Sequence, residues 1–273
     1  MIDLSTVING REIAEQIYSR YGSEVKGSCI GVLRSDADAA GIYAGVVKRS
    51  AKNLDVLVKE ICISASVQIE EIVHGIEALK DCDGILIQGP FKNIDMERVY
   101  KFLPPEKDIE GMCASHMGVL FRKLDADIPL PCTPAAVMQI IEHVNFDLTG
   151  ASVCIVNHSA VIGKPLAIML LARNATVSIC HEYTKNLAMF TSGADVVVCG
   201  VGIPGFLKAD MIKEGAFVID CGMNRVAGRV TGDADFDGML EKCSYITPVP
   251  GGVGPVTTSM LFRNLAILKK MYR

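Results

Sequence analysis

The sequence has no surplus of positive charge. Its 27 Lys and Arg stand against 31 Asp and Glu, for a net charge of −4. A general nucleic-acid binder presents a basic face to the phosphate backbone, so no nucleic-acid partner is expected. No apolar run reaches the ~18 residues of a membrane span, so no membrane partner is expected either. The N-terminal MIDLSTVINGREIAEQ lacks a basic segment followed by an apolar one, which argues against a secretory signal. None of the ten cysteines falls in a CxxC spacing. That excludes zinc-ribbon and thioredoxin-type readings, and no metal site is expected. Several cysteines sit in apolar runs such as VCIV and VSIC, where the thiol acts as a small core group; they read as reduced thiols of a cytoplasmic protein. Internal repeats and low-complexity segments are absent too.

What is present is a globular composition, 50% hydrophobic and 21% charged over 273 residues. That length suggests about two domains with a substantial core. Short apolar runs alternate with helical spacing. In the first half the runs 29–34, 56–64 and 84–88 read as strands, and 12–21, 69–79 and 96–103 as amphipathic helices. Residues 104–134, rich in Pro, Gly and Met, read as irregular chain crossing between domains. A helix over 134–144 follows, with Thr133 as N-cap and Pro134 at its first position. In the second half 152–159, 176–182, 195–202 and 216–222 are near-continuous apolar strands, as in a parallel sheet buried on both faces. A helix over 161–172 lies between the first two, and a last helix over 256–272 follows a Gly/Pro-rich stretch. The expected class is α/β, with two α/β domains, the second a Rossmann-like doubly wound parallel sheet.

The turn Asn157-His158-Ser159-Ala160-Val161-Ile162-Gly163 joins the first strand of that sheet to its helix. Such a turn aims backbone N–H groups and a positive helix end at an anion. It carries no GxGxxG. Asn157 stands at the usual glycine and tolerates positive φ, while Gly163 lets the helix approach the sheet. At the end of the second strand, Glu182 is placed to accept from a ribose 2′-hydroxyl and to repel a 2′-phosphate, which leans toward NAD. His158 offers an imidazolium that offsets this lean. An ordinary βα loop and a solvated glutamate are the plain alternatives.

The most specific stretch is Tyr245-Ile246-Thr247-Pro248-Val249-Pro250-Gly251-Gly252-Val253-Gly254-Pro255. With Pro131 to Pro134, Ser159 to Pro165, Thr184 to Leu187, Gly202 to Gly205, Asp220 to Arg225 and Gly232-Asp233, it makes the chain resemble the bifunctional methylenetetrahydrofolate dehydrogenase/methenyltetrahydrofolate cyclohydrolase family. The resemblance runs from about residue 29 to 260. It implies oxidation of 5,10-methylenetetrahydrofolate to the methenyl form with NADP (Glu182 leaves NAD open), then hydrolysis to 10-formyltetrahydrofolate at one folate site in a cleft between two domains. It also implies a homodimer. The implied domains are a folate-binding catalytic domain, 1–133 joined by the helix 256–273, and an NAD(P)-binding domain, 134–255.

The resemblance places the catalytic lysine at Lys48, after the apolar IYAGVV, whose desolvation would lower the amine toward neutrality. Gln88 maps to a glutamine beside the lysine, and Tyr43 to a tyrosine over the pterin. Asp108 and Glu110 map to the acidic pair that grips pterin N–H donors, although Asp108 also suits a turn residue that fixes the loop. Pro250, Gly251 and Gly252 map to a wall near the folate and nicotinamide. Asn157, His158, Ser159, Gly163, Glu182, Gly202 and Met223 map to the cofactor site. The sequence departs from the family at four places. Tyr43 and Lys48 are five apart instead of four, about 140° on a helix, so they share a ligand only if Tyr43 precedes the helix or the helix bulges. Fixing the lysine puts Ala44 at the tyrosine position. Ser50 replaces a second lysine, Asn157-His158 replaces Gly-Arg, and His116 replaces an asparagine. Two alternatives stay open: a dehydrogenase without cyclohydrolase activity, and a non-catalytic nucleotide-binding module.

Overall fold

A computed structural model describes residues 6–122 and 127–272; the ends of the expected domains at 1–5 and 273, and residues 123–126 of the crossing segment, lie outside the described residues. In chain order the elements are β1 (Thr6–Val7), α1 (Gly10–Val25), β2 (Cys29–Ser35), α2 (Asp38–Asn53), β3 (Leu57–Ile63), α3 (Ile69–Ala78), β4 (Gly84–Gln88), α4 (Met96–Tyr100), α5 (Ala114–Arg122) and α6 (Cys132–His143). There follow β5 (Ser152–Val156), α7 (Gly163–Leu171), β6 (Thr176–Cys180), α8 (Ala188–Thr191), β7 (Val196–Cys199), β8 (Phe217–Asp220), β9 (Asn224–Val226), β10 (Arg229–Thr231), α9 (Phe236–Met239), β11 (Tyr245–Ile246) and α10 (Val253–Met271).

The chain divides into two compact units. One contains the N-terminal segment through Ala14 together with Thr133–Thr257. Its sheet has the order β1-β11-β8-β7-β5-β6, parallel throughout. All four residues of β7 and of β8 are buried, which is why these strands read as unbroken apolar runs. A core around Cys154, Val156, Val197, Cys199 and Val218 fills one face. The expected domain limit at residue 133 misplaces the N-terminal segment. Thr6 and Val7 pair with Tyr245 and Ile246, and the Gly10 amide donates to Gly251 O at 2.9 Å. A Cβ on Gly10 would overlap the Gly252 carbonyl, so the glycine permits this approach.

The other unit holds Glu15–Cys132 and the chain from Thr258 on. Its three-stranded parallel sheet has the order β3-β2-β4. The buried residues of α2 are Ala40, Ala44, Val47 and Ala51, a stripe at helical spacing. The segment expected to be irregular contains a helix, α5, whose His116 and Leu120 are buried. Its Pro- and Gly-rich flanks hid that periodicity. Asn264 of α10 is fully buried and braces this region: its Nδ2 donates to Ile109 O (2.9 Å) and Leu130 O (2.7 Å), and its Oδ1 accepts from Leu130 N–H (3.1 Å). The backbone just before Glu110 is thereby tied to that at Leu130.

Candidate functional site

In the unit built on β2, β3 and β4, Tyr43 and Lys48 both lie inside α2, which runs unbroken from Asp38 to Asn53. At about 100° per residue, they fall some 70° to either side of the buried alanine–valine stripe. Neither escape from the spacing problem is realised: Tyr43 does not precede the helix, and the helix has no bulge. Tyr43 turns toward Thr258, to which its hydroxyl is hydrogen-bonded, and toward Cys132 and Glu110. Burial pushes its phenol far up, so it stays protonated.

Lys48 lies elsewhere. Its side chain is 48% exposed, and its Nζ is ion-paired with Oε2 of Glu60 on β3, itself 17% exposed. The other Glu60 oxygen accepts from Arg34 Nε at 2.6 Å. Arg34 sits on β2 between Cys62 and Gln88 of the flanking strands. The Lys48 hydrogen bond, then that of Arg34, holds the Glu60 carboxyl below its ordinary range against the opposing effect of burial. The desolvated lysine expected from the apolar IYAGVV does not occur, because that run spends its apolar residues on the buried stripe and leaves Lys48 at its margin. Gln88 closes β4, half-buried, with Arg34 as its ladder partner.

Of the acidic pair, Asp108 is the turn residue. It is fully buried; Oδ1 accepts from Glu110 N–H (3.2 Å), Oδ2 accepts from Cys113 N–H (2.7 Å), and His116 Nδ1 lies 2.9 Å from Oδ2. These bonds engage both carboxylate oxygens in bracing the loop. Replacing the family's asparagine by His116 supplies this partner. Glu110 differs: one oxygen accepts from Ile87 N–H at 3.3 Å, and no other hydrogen bond to its side chain is found among the described residues. Burial, then the neighbouring Asp108 charge, pushes its carboxyl up to about 8. Tyr43, Tyr100 and Cys132 all feel its charge.

In the other unit, Pro250, Gly251 and Gly252 precede α10. Gly251 has φ +114°, and the Gly252 amide donates to Pro248 O at 2.8 Å. The glycines therefore serve a tight turn packed on Gly10 as well as any wall for a ligand.

At the β5–α7 turn Asn157 does not take positive φ; among the described residues other asparagines do, but not this one. Its side chain makes the turn instead. Oδ1 accepts from the amides of Ser159 (2.9 Å) and Gly163 (3.0 Å) and from Ser159 Oγ (2.8 Å), while Nδ2 donates to Gly200 O (2.6 Å). The Lys164 amide donates to Ser159 O. The first helical amides are thus satisfied within the fold and not left for an anion, and the helix dipole remains as the positive element. A Cβ on Gly163 would overlap Asn157 O. His158 and His181 rings stack at 4.8 Å, and His158 Nδ1 lies 3.7 Å from Glu182 Oε2. Beyond β7, the amides of Val201 and Gly202 donate to one oxygen of Asp233, at 2.5 and 2.8 Å. Met223 is exposed after β8.

Reasoning from sequence missed Arg34 and Glu60 because each sits in a strand run, where a lone charge gives no motif. It missed Asp233 as the anchor of the Gly202 loop; its only signal was the Gly232-Asp233 pair.

A parallel sheet with a tight strand–turn–helix crossing, joined in one chain to a second α/β unit, defines the two-unit α/β class of nucleotide-dependent enzymes. The NAD(P)-binding domain model of tetrahydrofolate dehydrogenase/cyclohydrolase matches residues 131–273, and the catalytic domain model matches 8–110. The chain belongs to the tetrahydrofolate dehydrogenase/cyclohydrolase family. It is 39% identical over 273 residues to the bifunctional protein FolD of Sulfurovum (94% of this chain, 96% of the relative) and 38% identical over 272 residues to that of Nitratiruptor (94% and 95%). Among solved structures it is similar to the bifunctional FolD dehydrogenase/cyclohydrolase of Campylobacter jejuni (TM-score 0.91, 32% identity, 98% of this chain and 99% of that one). It is also similar to the Trypanosoma brucei enzyme complexed with NADP and an inhibitor (TM-score 0.92, 28% identity, 99% of both chains).

Proposed function

We propose that this chain oxidises 5,10-methylenetetrahydrofolate to the 5,10-methenyl form and then hydrolyses that form to 10-formyltetrahydrofolate. The observation that carries the reading is that one chain matches both the catalytic and the NAD(P)-binding models of the family. Glu110 is the residue that meets the pterin, through the carboxyl oxygen not engaged by Ile87. Tyr43 and Tyr100 give it apolar surroundings.

The residues of the β5–α7 turn fit a dinucleotide. Gly163 brings the helix onto the strand end, and Asn157 fixes the loop between them. NADP is the proposed cofactor; bound, it accepts a hydride. Ser159 and Gly163 hold the turn, Asp233 sets the Gly202 loop, and the His158–Glu182 pair meets the adenosine ribose. The protein supplies position for this step and no acid or base.

In hydrolysis, water oxygen bonds to the methenyl carbon and a water proton passes to a base. That proton reaches the ring nitrogen as the carbon–nitrogen bond breaks, and the second water proton is released to solvent as the formyl group forms. Lys48 is the proposed proton carrier. A second reading, a dehydrogenase with little hydrolytic activity, is favoured by one observation: Lys48 is ion-paired and lies on the other side of the stripe from Tyr43.

No helix among the described residues is long and apolar enough to cross a membrane, and all ten cysteines are free. With the family resemblance, this supports a homodimeric cytoplasmic enzyme. The test is to follow reduced nicotinamide, methenyl and 10-formyl forms after mixing protein, methylenetetrahydrofolate and NADP or NAD. Cofactor binding without turnover would refute the reading.

A further inference from the structure

We propose that His116 is a positioning residue for folate binding: it holds the Asp108 carboxylate, and through it fixes where Glu110 presents its free carboxyl oxygen. This rests on the proposed function and deepens it at the pterin end of the site. Glu110 has few restraints of its own. One side-chain oxygen accepts a long bond from Ile87 N–H, 3.3 Å, and no other hydrogen bond to that side chain is found among the described residues. The place of its carboxyl is therefore inherited from the loop that carries it.

That loop is gathered on one carboxylate. The Asp108 backbone bridges to Ile85 of β4, so the residue itself is fixed, and its carboxylate receives three donors. Two are amides of the loop, Glu110 N–H on Oδ1 (3.2 Å) and Cys113 N–H on Oδ2 (2.7 Å). The third is His116 Nδ1, 2.9 Å from Oδ2, and it alone comes from a helix. His116 lies on the buried side of α5 with Leu120, one turn on, and its side chain is only 4% exposed. The ring cannot swing out to solvent. Its far nitrogen, Nε2, is buried and has no hydrogen-bond partner among the described residues. A proton there would go unanswered at a cost, so the ring proton sits on Nδ1 and is given to Asp108. Holding that carboxylate is the one hydrogen-bonding task of the side chain among the described residues.

Without the imidazole, the carboxylate keeps only the two loop amides, which turn with it. Glu110, whose N–H hangs from Oδ1, then loses its fixed reference. A side chain that meets a rigid flat ligand has to be held within about 0.5 Å of the productive place. The loss therefore falls on affinity for the pterin.

The test is a double-mutant cycle on binding of 5-formyltetrahydrofolate, followed by titration calorimetry. It is run at pH 9, above the value of about 8 for Glu110, so that the place of the carboxylate is read and not its charge. His116→Leu, which has no donor, is expected to weaken binding about tenfold, the size of one lost bond to a charged group. His116→Asn, whose amide donates from close to the place of Nδ1, is expected to restore most of the loss. In the Glu110→Gln background, His116→Leu should cost less than about twofold more, because no carboxylate is left to place. A merely structural role would give the same loss in both backgrounds and overturns the inference. So does full affinity in His116→Leu, or His116→Asn binding no better than His116→Leu. Far-UV circular dichroism reports that each variant is folded. Should His116→Leu not fold, His116→Gln, whose amide is displaced by one methylene, takes its place in the cycle with the same expectations. A wild type that binds no folate overturns the proposed function and the inference with it.

Discussion

Glu110 gives the folate site a pH dependence whose size follows from its surroundings. Its carboxyl is pushed from 4.5 up to about 8, first by burial and then by Asp108. At pH 7 only about one molecule in ten carries it as the carboxylate, and at pH 8 about half do. A pterin presents N–H donors, so it binds the ionised form. Making that form available at pH 7 costs about 1.4 kcal/mol. Affinity for a non-reacting folate, 5-formyltetrahydrofolate, should rise about fivefold from pH 7 to 8 and about tenfold in all by pH 9. At pH 7 each binding event should release close to one proton, measured by titration calorimetry in buffers of different ionisation enthalpy. Glu110→Gln should bind more weakly at high pH and lose both effects. A flat affinity between pH 6 and 9, with no proton released, would refute the reasoning. The sign for stability is the reverse of the usual carboxylate case. The fold prefers the protonated acid, so without ligand the protein loses stability as pH climbs from about 4.5 to about 8, by at most about 5 kcal/mol. Glu110→Gln should remove that slope from urea unfolding curves.

Lys48→Met should abolish cyclohydrolysis while leaving hydride transfer measurable; full hydrolytic activity in this variant would remove Lys48 from the mechanism. Glu182→Ser should raise the NADP/NAD ratio of kcat/KM about tenfold, because it removes a negative charge beside His158, and an unchanged ratio would sink that role. Gly163→Ala should weaken cofactor binding and lower stability by about 1–3 kcal/mol, since its methyl would meet the Asn157 carbonyl; calorimetry and urea unfolding read both effects.

The strands of the larger sheet were legible because parallel strands buried on both faces print continuous apolar runs, as in Val196–Cys199. The two-residue strands β1 and β11 print no such pattern, so the place of the N-terminal segment could not be read. Asn157 was legible as the turn residue, but its means were not. Backbone torsion and a side-chain staple are both open to asparagine, and only coordinates separate them. For Asp108 the loop-fixing role was visible in the sequence, and its bonds to Glu110, Cys113 and His116 are the form it takes. The Lys48–Glu60 contact joins residues on different elements, which is the kind of pairing that single-sequence periodicity does not encode.

The pairing of Thr6 with Tyr245 carries a consequence for biosynthesis. β1 leaves the ribosome long before its hydrogen-bonding partner β11, which follows even β8 in the chain. Strands β5 to β8 can pair as they emerge, but the β8 margin stays open until β11 follows. During that interval β11 does not yet seal the β8 edge and β1 lacks its partner, so the nascent chain is then most exposed to pairing with a stranger.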